Sequence, residues 1–304
     1  INIFPGGNNM SKYNPALTIE LYKVNKIEHK QPLEVVFKHI ELDGLDQRSR
    51  LINQVSIRLD KIIEPTESKP YWLLNFSRIL NVAPGQRGKD DQIKDIELEE
   101  GHDFAEETAV LYIPHTEYIL IQYAHHGPRV SAINEYLNTY IQDMGETPKH
   151  YEFLVKLKPD AEARLDNKDT LTELEIRIDP NQMTAAMRNE GKTLAQAIDT
   201  VGNLNPKSVY LKVSAKSDDG LVKTGVKNFL KMIAREGIAS TVRATGFDED
   251  SEKPETVDLI KDRERKIFKN VPLSTNKRWS EEVRYEHLEK AYNGWKKILS
   301  GSKK

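Results

Sequence analysis

The 304-residue chain contains no cysteine. That absence removes disulfides, thiolate nucleophiles, iron–sulfur clusters and cysteine-based zinc sites, and no cofactor or metal is expected. Long hydrophobic runs are missing too. No apolar stretch approaches the roughly 20 residues that cross a bilayer as a helix, which argues against membrane insertion. The opening INIFPGGNNM lacks a basic segment followed by a long apolar one, so no signal peptide is read there. Met10 is the expected start, with residues 1–9 an extension, and the expected address is cytoplasmic.

Catalytic motifs are equally scarce. There is no GxSxG, which leaves a serine hydrolase of that type without support. The eight histidines (29, 39, 102, 115, 125, 126, 150 and 287) form no HExxH or HxH arrangement. Residues 186–193, AMRNEGKT, satisfy a relaxed phosphate-loop pattern. A working phosphate loop turns straight off a buried strand, whereas here the candidate strand ends near Ile178 and a helical stretch intervenes, so an ATPase is not expected.

What the chain does have is charge, unevenly spread. It carries 45 Lys and Arg against 47 Asp and Glu, a formal net of −2. Residues 1–100 balance to −1, residues 101–204 to −8 and residues 205–304 to +7. An acidic middle and a basic end suit either a polyanion surface on the basic part or pairing between the chain's own halves.

Periodicity places the elements. Leu17–Val24 alternates as a half-buried strand, and Leu33–Ile40 and Tyr71–Ile79 read the same way, with Leu51–Ile63 ambiguous between helix and strand. Residues 81–103 read as an exposed loop. Ala109–Ile113 and Tyr118–Tyr123 form a hairpin, followed by a helix on Ile133, Leu137, Ile141 and Met144 with Ser131 as its cap. Beyond Pro148 strands and helices alternate: strands at Glu152–Leu157, Glu173–Ile178, Ser208–Ala215 and Ser240–Thr245. Helices are expected at Leu194–Val201, Val222–Glu236 and Trp279–Leu299, stopped by Gly202 and Gly237 and capped by Ser280 where those residues fall. The class is α+β, with domains expected over 1–148 and 149–304.

The strongest physical signal is a cationic stripe. Lys223, Lys227, Lys231 and Arg235 recur every fourth residue, which stacks them on one helix face. Lys212 and Lys216 on the preceding strand, Arg263, Arg265, Lys266 and Lys269, and then Lys277 and Arg278 extend the basic surface. His125-His126-Gly127-Pro128-Arg129 marks a turn, with Arg129 a further anion contact. A second reading is a metal-dependent nuclease built from Asp160, Glu173, Glu175 and His126, although Arg177 stands where such a site needs a lysine. A third is an interaction module whose basic third binds an acidic partner.

The hairpin, Gly127-Pro128, the helix that follows, the VYLKVSAK and VRATG strands and the terminal EKAYNGWKKIL helix together resemble the RexA-type phage-exclusion proteins over residues 105–299. The resemblance implies an α+β homodimer that binds DNA without marked sequence preference and serves in defence against phage. Joined to the stripe, it gives the main expectation: a non-enzymatic protein contacting duplex DNA through phosphate neutralisation.

Overall fold

A strand that is apolar at every second position buries one face, and its backbone groups are fully paired only with a neighbour along each edge. Leu17–Ile27 is such a strand, and in the computed structural model the larger sheet is assembled around it. The structure describes residues 15–28, 31–80, 84–86, 92–145, 150–204, 206–215, 220–221, 225–248, 251 and 253–300.

In chain order the first half contains β1 (Leu17–Ile27), α1 (Leu33–Leu42), β2 (Arg50–Ile52), β3 (Val55–Ile63), β4 (Trp72–Ile79), β5 (Ala105–Ile113), β6 (Tyr118–Tyr123) and α2 (Val130–Asp143). The second half contains β7 (His150–Val155), α3 (Pro159–Asp166), β8 (Lys168–Ile178), α4 (Ala185–Gly191), α5 (Thr193–Gly202), β9 (Val209–Ser214), α6 (Val226–Arg235), β10 (Ala239–Asp248), β11 (Glu255–Asp258), β12 (Arg265–Phe268), α7 (Glu281–Gly294) and α8 (Lys296–Leu299). The fold is α+β.

The larger sheet runs β12-β1-β6-β5-β4-β3-β2, every pair antiparallel. β7 shares an edge of β1 with β12. β12 covers Leu17 to Glu20 and β7 covers Tyr22 to Ile27. At the junction Leu21 N–H donates to Glu264 O and Leu21 O accepts from Lys156 N–H, both at 3.0 Å, so the ladder continues across the gap. The smaller sheet is antiparallel in the order β11-β10-β8-β9.

Two cores follow from the alternation along β1. Leu17, Ile19 and Leu21 pack with Leu111, Leu120, Leu288, Trp295 and Leu299 beneath α7 and α8. Tyr22 and Val24 enter the second core, which runs through α1 and α2 and on to Leu174, Ile176, Phe229 and Val242 of the smaller sheet and its helices. The sheets therefore share one apolar interior. Strands β7 and β12 and helices α7 and α8, all beyond residue 148, complete the larger sheet and its cover, so the change of texture near that position does not separate two self-contained sheets.

Several sequence expectations change. Leu33–Ile40 is helix α1, not a strand: Leu33, Val36, Phe37 and Ile40 are buried at helical spacing, a period that outweighs the short alternation Leu33-Val35-Phe37. Leu51–Ile63 resolves into the β2–β3 hairpin, turning through Asn53 and Gln54 at φ 49° and 65°, both left-handed as a tight hairpin turn requires. Helix α2 starts at Val130 after Arg129, so Ser131 lies inside it, whereas Ser280 does cap α7, accepting from Val283 N–H at 3.3 Å. Of the loop at 81–103, residues 81–83 and 87–91 lie outside the described residues, and Gln86 pairs with Lys94 in an isolated antiparallel bridge.

Candidate functional site

The stripe on α6 is not an open row of cations. Lys231 Nζ meets Asp166 Oδ1 at 2.8 Å, Lys227 Nζ donates to Asp166 O at 2.6 Å, and Arg235 grips Glu162 with two nitrogens, its Nε at 2.8 Å. Helix α3 thus lays its acids against the basic face, and the Lys231 side chain is only 16% exposed. The stripe is an α3–α6 seam. Lys223 and Lys216 lie outside the described residues.

The other basic residues divide. Lys212 is held by Glu173 at 3.0 Å and Glu175 at 3.3 Å. Arg278 pairs with Glu107 at 3.0 Å, and Lys266 sits 5.2 Å over the ring of Trp295. Lys269 and Lys277 are exposed. Arg129, Arg263 and Arg265 have no carboxylate partner among the described residues. Arg129 lies 5.8 Å over the ring of Tyr123, Arg263 reaches Ala239 O at 3.3 Å, and Arg263 Nε is buried without a hydrogen bond.

The carboxylates of the nuclease reading do not converge on an open centre. Glu173 and Glu175 share the solvent face of the smaller sheet in a hollow of about 550 Å³, but Lys212 bridges them and Arg243 ties Glu175 to Asp258. Arg243 lies 3.1 Å from Glu175 and 2.8 Å from Asp258. These cations hold the Glu175 and Asp258 carboxyls below their ordinary range, for Asp258 against the opposing effect of burial. Asp160 is on α3, paired with Arg164, and His126 is exposed at the turn after β6 with its ring 4.6 Å from that of His125. Among the described residues no group of three His, Asp or Glu side chains is placed to hold a metal.

The phosphate-loop look-alike also has a packing explanation. Gly191 ends α4, where a Cβ would stand 2.6 Å from the ring of Phe229, so glycine permits α4 to press on α6.

A larger cavity, of about 810 Å³, lies between β1 and β6 on one side, helix α2 on another, and the α6–β10 turn opposite. The register of β1 orders it. Glu20 and Tyr22 of β1 line it, Glu20 opposite Ile121 of β6 and Tyr22 opposite Val155 of β7, with Tyr123 towards one end and Phe153 towards the other. Helix α2 runs the same way, from Arg129 at its start to Asn138, whose amide exchanges two hydrogen bonds with the Tyr151 backbone at 2.9 and 3.0 Å.

One end of the cleft is therefore cationic. Arg129 and Arg263 line it with Glu20, whose carboxylate accepts from the Tyr22 hydroxyl; Arg265 is the cross-strand neighbour of Glu20, and Arg129 lies over Tyr123, which is 47% exposed. Burial and then Glu20 raise the Tyr22 phenol well above its ordinary range, so it stays a donor. The other end is acidic. Glu236 receives no hydrogen bond among the described residues, and burial, with Glu152 adding repulsion, pushes its carboxyl up to about 7. Asn134 Oδ1 is likewise buried without a donor. Sequence reasoning singled out Arg129 and Arg263 but missed Tyr123, Asn134 and Glu236. The pairing of β1 with three distant strands, β6, β7 and β12, builds the wall on which they meet.

A comparison with curated proteins returns no match. A family of unknown function, DUF6731, matches residues 17–298, from the first residue of β1 into α8. Because the match takes in both sheets and nearly every element described above, the chain belongs to the DUF6731 family.

Proposed function

We propose that the protein is a non-enzymatic nucleic-acid-binding protein that takes its ligand at the cationic mouth of the cleft. The observation that carries this reading is the contrast in pairing. The α6 cations are consumed by Asp166 and Glu162, while Arg129, Arg263 and Arg265 form no ion pair among the described residues and Arg129 lies over the exposed ring of Tyr123. Guanidinium groups bind phosphate bidentately and an exposed aromatic ring stacks on a base, a combination suited to an unpaired strand or strand end. A recessed mouth fits a rigid duplex less well, so single-stranded nucleic acid replaces duplex DNA as the favoured ligand.

Fluorescence anisotropy with duplex DNA, single-stranded DNA and RNA across a salt series tests this. Three phosphate contacts on a single strand give a slope near −2 in log K against log salt, about a 20-fold loss of affinity between 50 and 200 mM. Arg129→Ala with Arg263→Ala should remove binding, and unchanged affinity in that double variant sinks the proposal. Shortening of the probe with magnesium would favour an enzyme instead.

The homodimer and the role in phage defence rest on the resemblance to the RexA-type proteins. Light scattering and plaque counts on cells with and without the protein test them separately. No helix among the described residues is long and apolar enough to cross a membrane.

A further inference from the structure

The acidic end of the cleft asks for a different chemistry from its mouth. The groups left without hydrogen bonds there are acceptors. Asn134 Oδ1 has no donor, and none reaches the Glu236 carboxylate among the described residues. The neighbouring acids are already engaged. Glu152 accepts from Asn25 at 3.3 Å and lies 3.5 Å from His150, and Glu135 accepts from Asn53 at 3.0 Å. Asn134 Oδ1 is buried and the Glu236 carboxyl half-buried, so a ligand that brings N–H donors relieves the cost of leaving these acceptors unmet. The same ligand must bring an anion to the Arg129–Arg263 end. The cavity, at about 810 Å³, is within the range of small-molecule sites.

Resting on the reading above, we propose that the cleft is a nucleotide site selective for guanine, with the phosphate between Arg129 and Arg263 and the base edge directed at Glu236 and Asn134. Guanine is the common base that presents two adjacent donors, its ring N–H and its amino group, and a carboxylate accepts both at once. Adenine and cytosine each set an acceptor beside their amino group, which would face the carboxylate unfavourably. Uracil has a single N–H between two carbonyls. A polyamine would meet the acids but would be repelled at the mouth, and inorganic phosphate would use the mouth alone.

Isothermal titration of the full-length protein at pH 8 and low salt, with GMP, AMP, CMP, UMP and inorganic phosphate in turn, tests the assignment. GMP is expected to bind about tenfold or more tightly than the other three, the scale of one bidentate base contact. Glu236→Gln should bring GMP down to the level of AMP while leaving inorganic phosphate unchanged. Asn134→Ala should weaken GMP in the same selective way, which keeps the test decisive if one variant folds poorly. Equal affinity for the four nucleotides, each lowered by Arg129→Ala, would overturn base selection and leave the cationic mouth standing. No binding of any nucleotide alongside tight binding of a single-stranded oligonucleotide would also overturn the nucleotide site alone. Failure of both would remove the nucleic-acid reading with it.

Discussion

Replacing Gly127 with alanine tests whether the turn that aims Arg129 is held by space or by backbone freedom. Gly127 is buried and its φ is not positive, so any side chain could adopt the backbone. What excludes one is crowding. A Cβ would stand 2.7 Å from Thr108 Oγ1, 2.8 Å from Glu107 O and 2.9 Å from the Ala124 methyl. Two of these neighbours belong to β5 in the middle of the larger sheet, so the turn must move rather than the strand. Its movement breaks the 2.8 Å hydrogen bond from Thr108 Oγ1 to Pro128 O. Overpacking costs about 1–3 kcal/mol and the lost bond about 1 kcal/mol, a total near 2–4 kcal/mol. With an unfolding entropy of roughly 0.6 kcal/mol/K for a chain of this length, Tm should fall by about 3–6 °C.

The companion variant is Gly145→Ala. That residue has φ 74° and nothing within 4 Å of its would-be Cβ, so only backbone strain of about 1 kcal/mol is added and Tm drops by about 2 °C or less. Differential scanning calorimetry reads both. Because Arg129 follows Gly127 by two residues, the first variant should also weaken oligonucleotide binding and the second should not. A Gly127→Ala protein that melts within 1 °C of the parent would refute the crowding account.

Three further outcomes are expected. Lys231→Glu places a carboxylate against Asp166 and should cost about 1 kcal/mol in urea unfolding while changing nucleic-acid affinity less than twofold; a large loss of affinity would return the α6 stripe to the binding surface. Glu236→Gln should stabilise the protein at pH 8 and leave it unchanged near pH 4. The raised carboxyl keeps its proton in the native state while the unfolded chain releases it, so stability falls as pH climbs from about 4.5 through about 7. Glu152 is the facing charge, and a pH-independent effect in urea melts would contradict this. Lys168→Met removes a cation only 1% exposed that meets Asp248 at 2.9 Å and Glu255 at 2.5 Å. Both acids are partly solvated, so the cost should be near 2 kcal/mol, below that of a fully buried pair. Lys168 holds the Glu255 carboxyl below its ordinary range, so the parent loses this stabilisation as pH falls below about 4.5, and the variant should show a shallower acid limb in denaturant titrations.

Legibility in the sequence tracked the range of the interactions. The hairpin β5–β6 was readable because its turn chemistry is local, Pro114-His-Thr-Glu117 closing in a 3-10 turn with Glu117 at φ 53°. Gly237, at φ 71°, ends α6 as its position suggested. Strands β11 and β12 and helix α3 went unread. The strands are four residues each, too short for alternation to register, and α3 has only Ala161 and Leu165 buried among charges. Lys227, Lys231 and Arg235 of the expected stripe lie on α6, with Lys223 outside the described residues, but their partners are on α3, Glu162 and Asp166, more than 60 residues earlier. Charge spacing along one helix shows that cations cluster and is silent about which acids the fold sets opposite them.

The charge asymmetry of the chain takes a different meaning in the folded protein. Much of the +7 balance of the last third is met by acids of the −8 middle: Glu162 and Asp166 on Arg235 and Lys231, Glu173 and Glu175 on Lys212 and Arg243. This is the self-pairing that an acidic middle and a basic end allow. Exposed pairs of this kind contribute little stability each, but they remove the cations from competition for an external polyanion. The residues to follow are therefore the guanidiniums that the acidic middle fails to reach. Arg263 and Arg265 come from the segment where the chain leaves the smaller sheet to pair β12 with β1, and Arg129 from the turn into α2. Arg129 lies over Tyr123 of β6, which pairs with Thr18 of β1, while Arg265 of β12 pairs with Glu20 two residues further along β1 and Arg263 lies just before β12. Pairing at the start of β1 fixes that cluster, so unpairing β12 should dissolve the mouth while leaving the smaller sheet intact. Proline at Lys266, opposite Ile19, deletes an N–H from that short edge strand. It should abolish oligonucleotide binding with little change in the hydrogen exchange of β8 and β10, and a loss of protection throughout both sheets would show instead that they unfold as one unit.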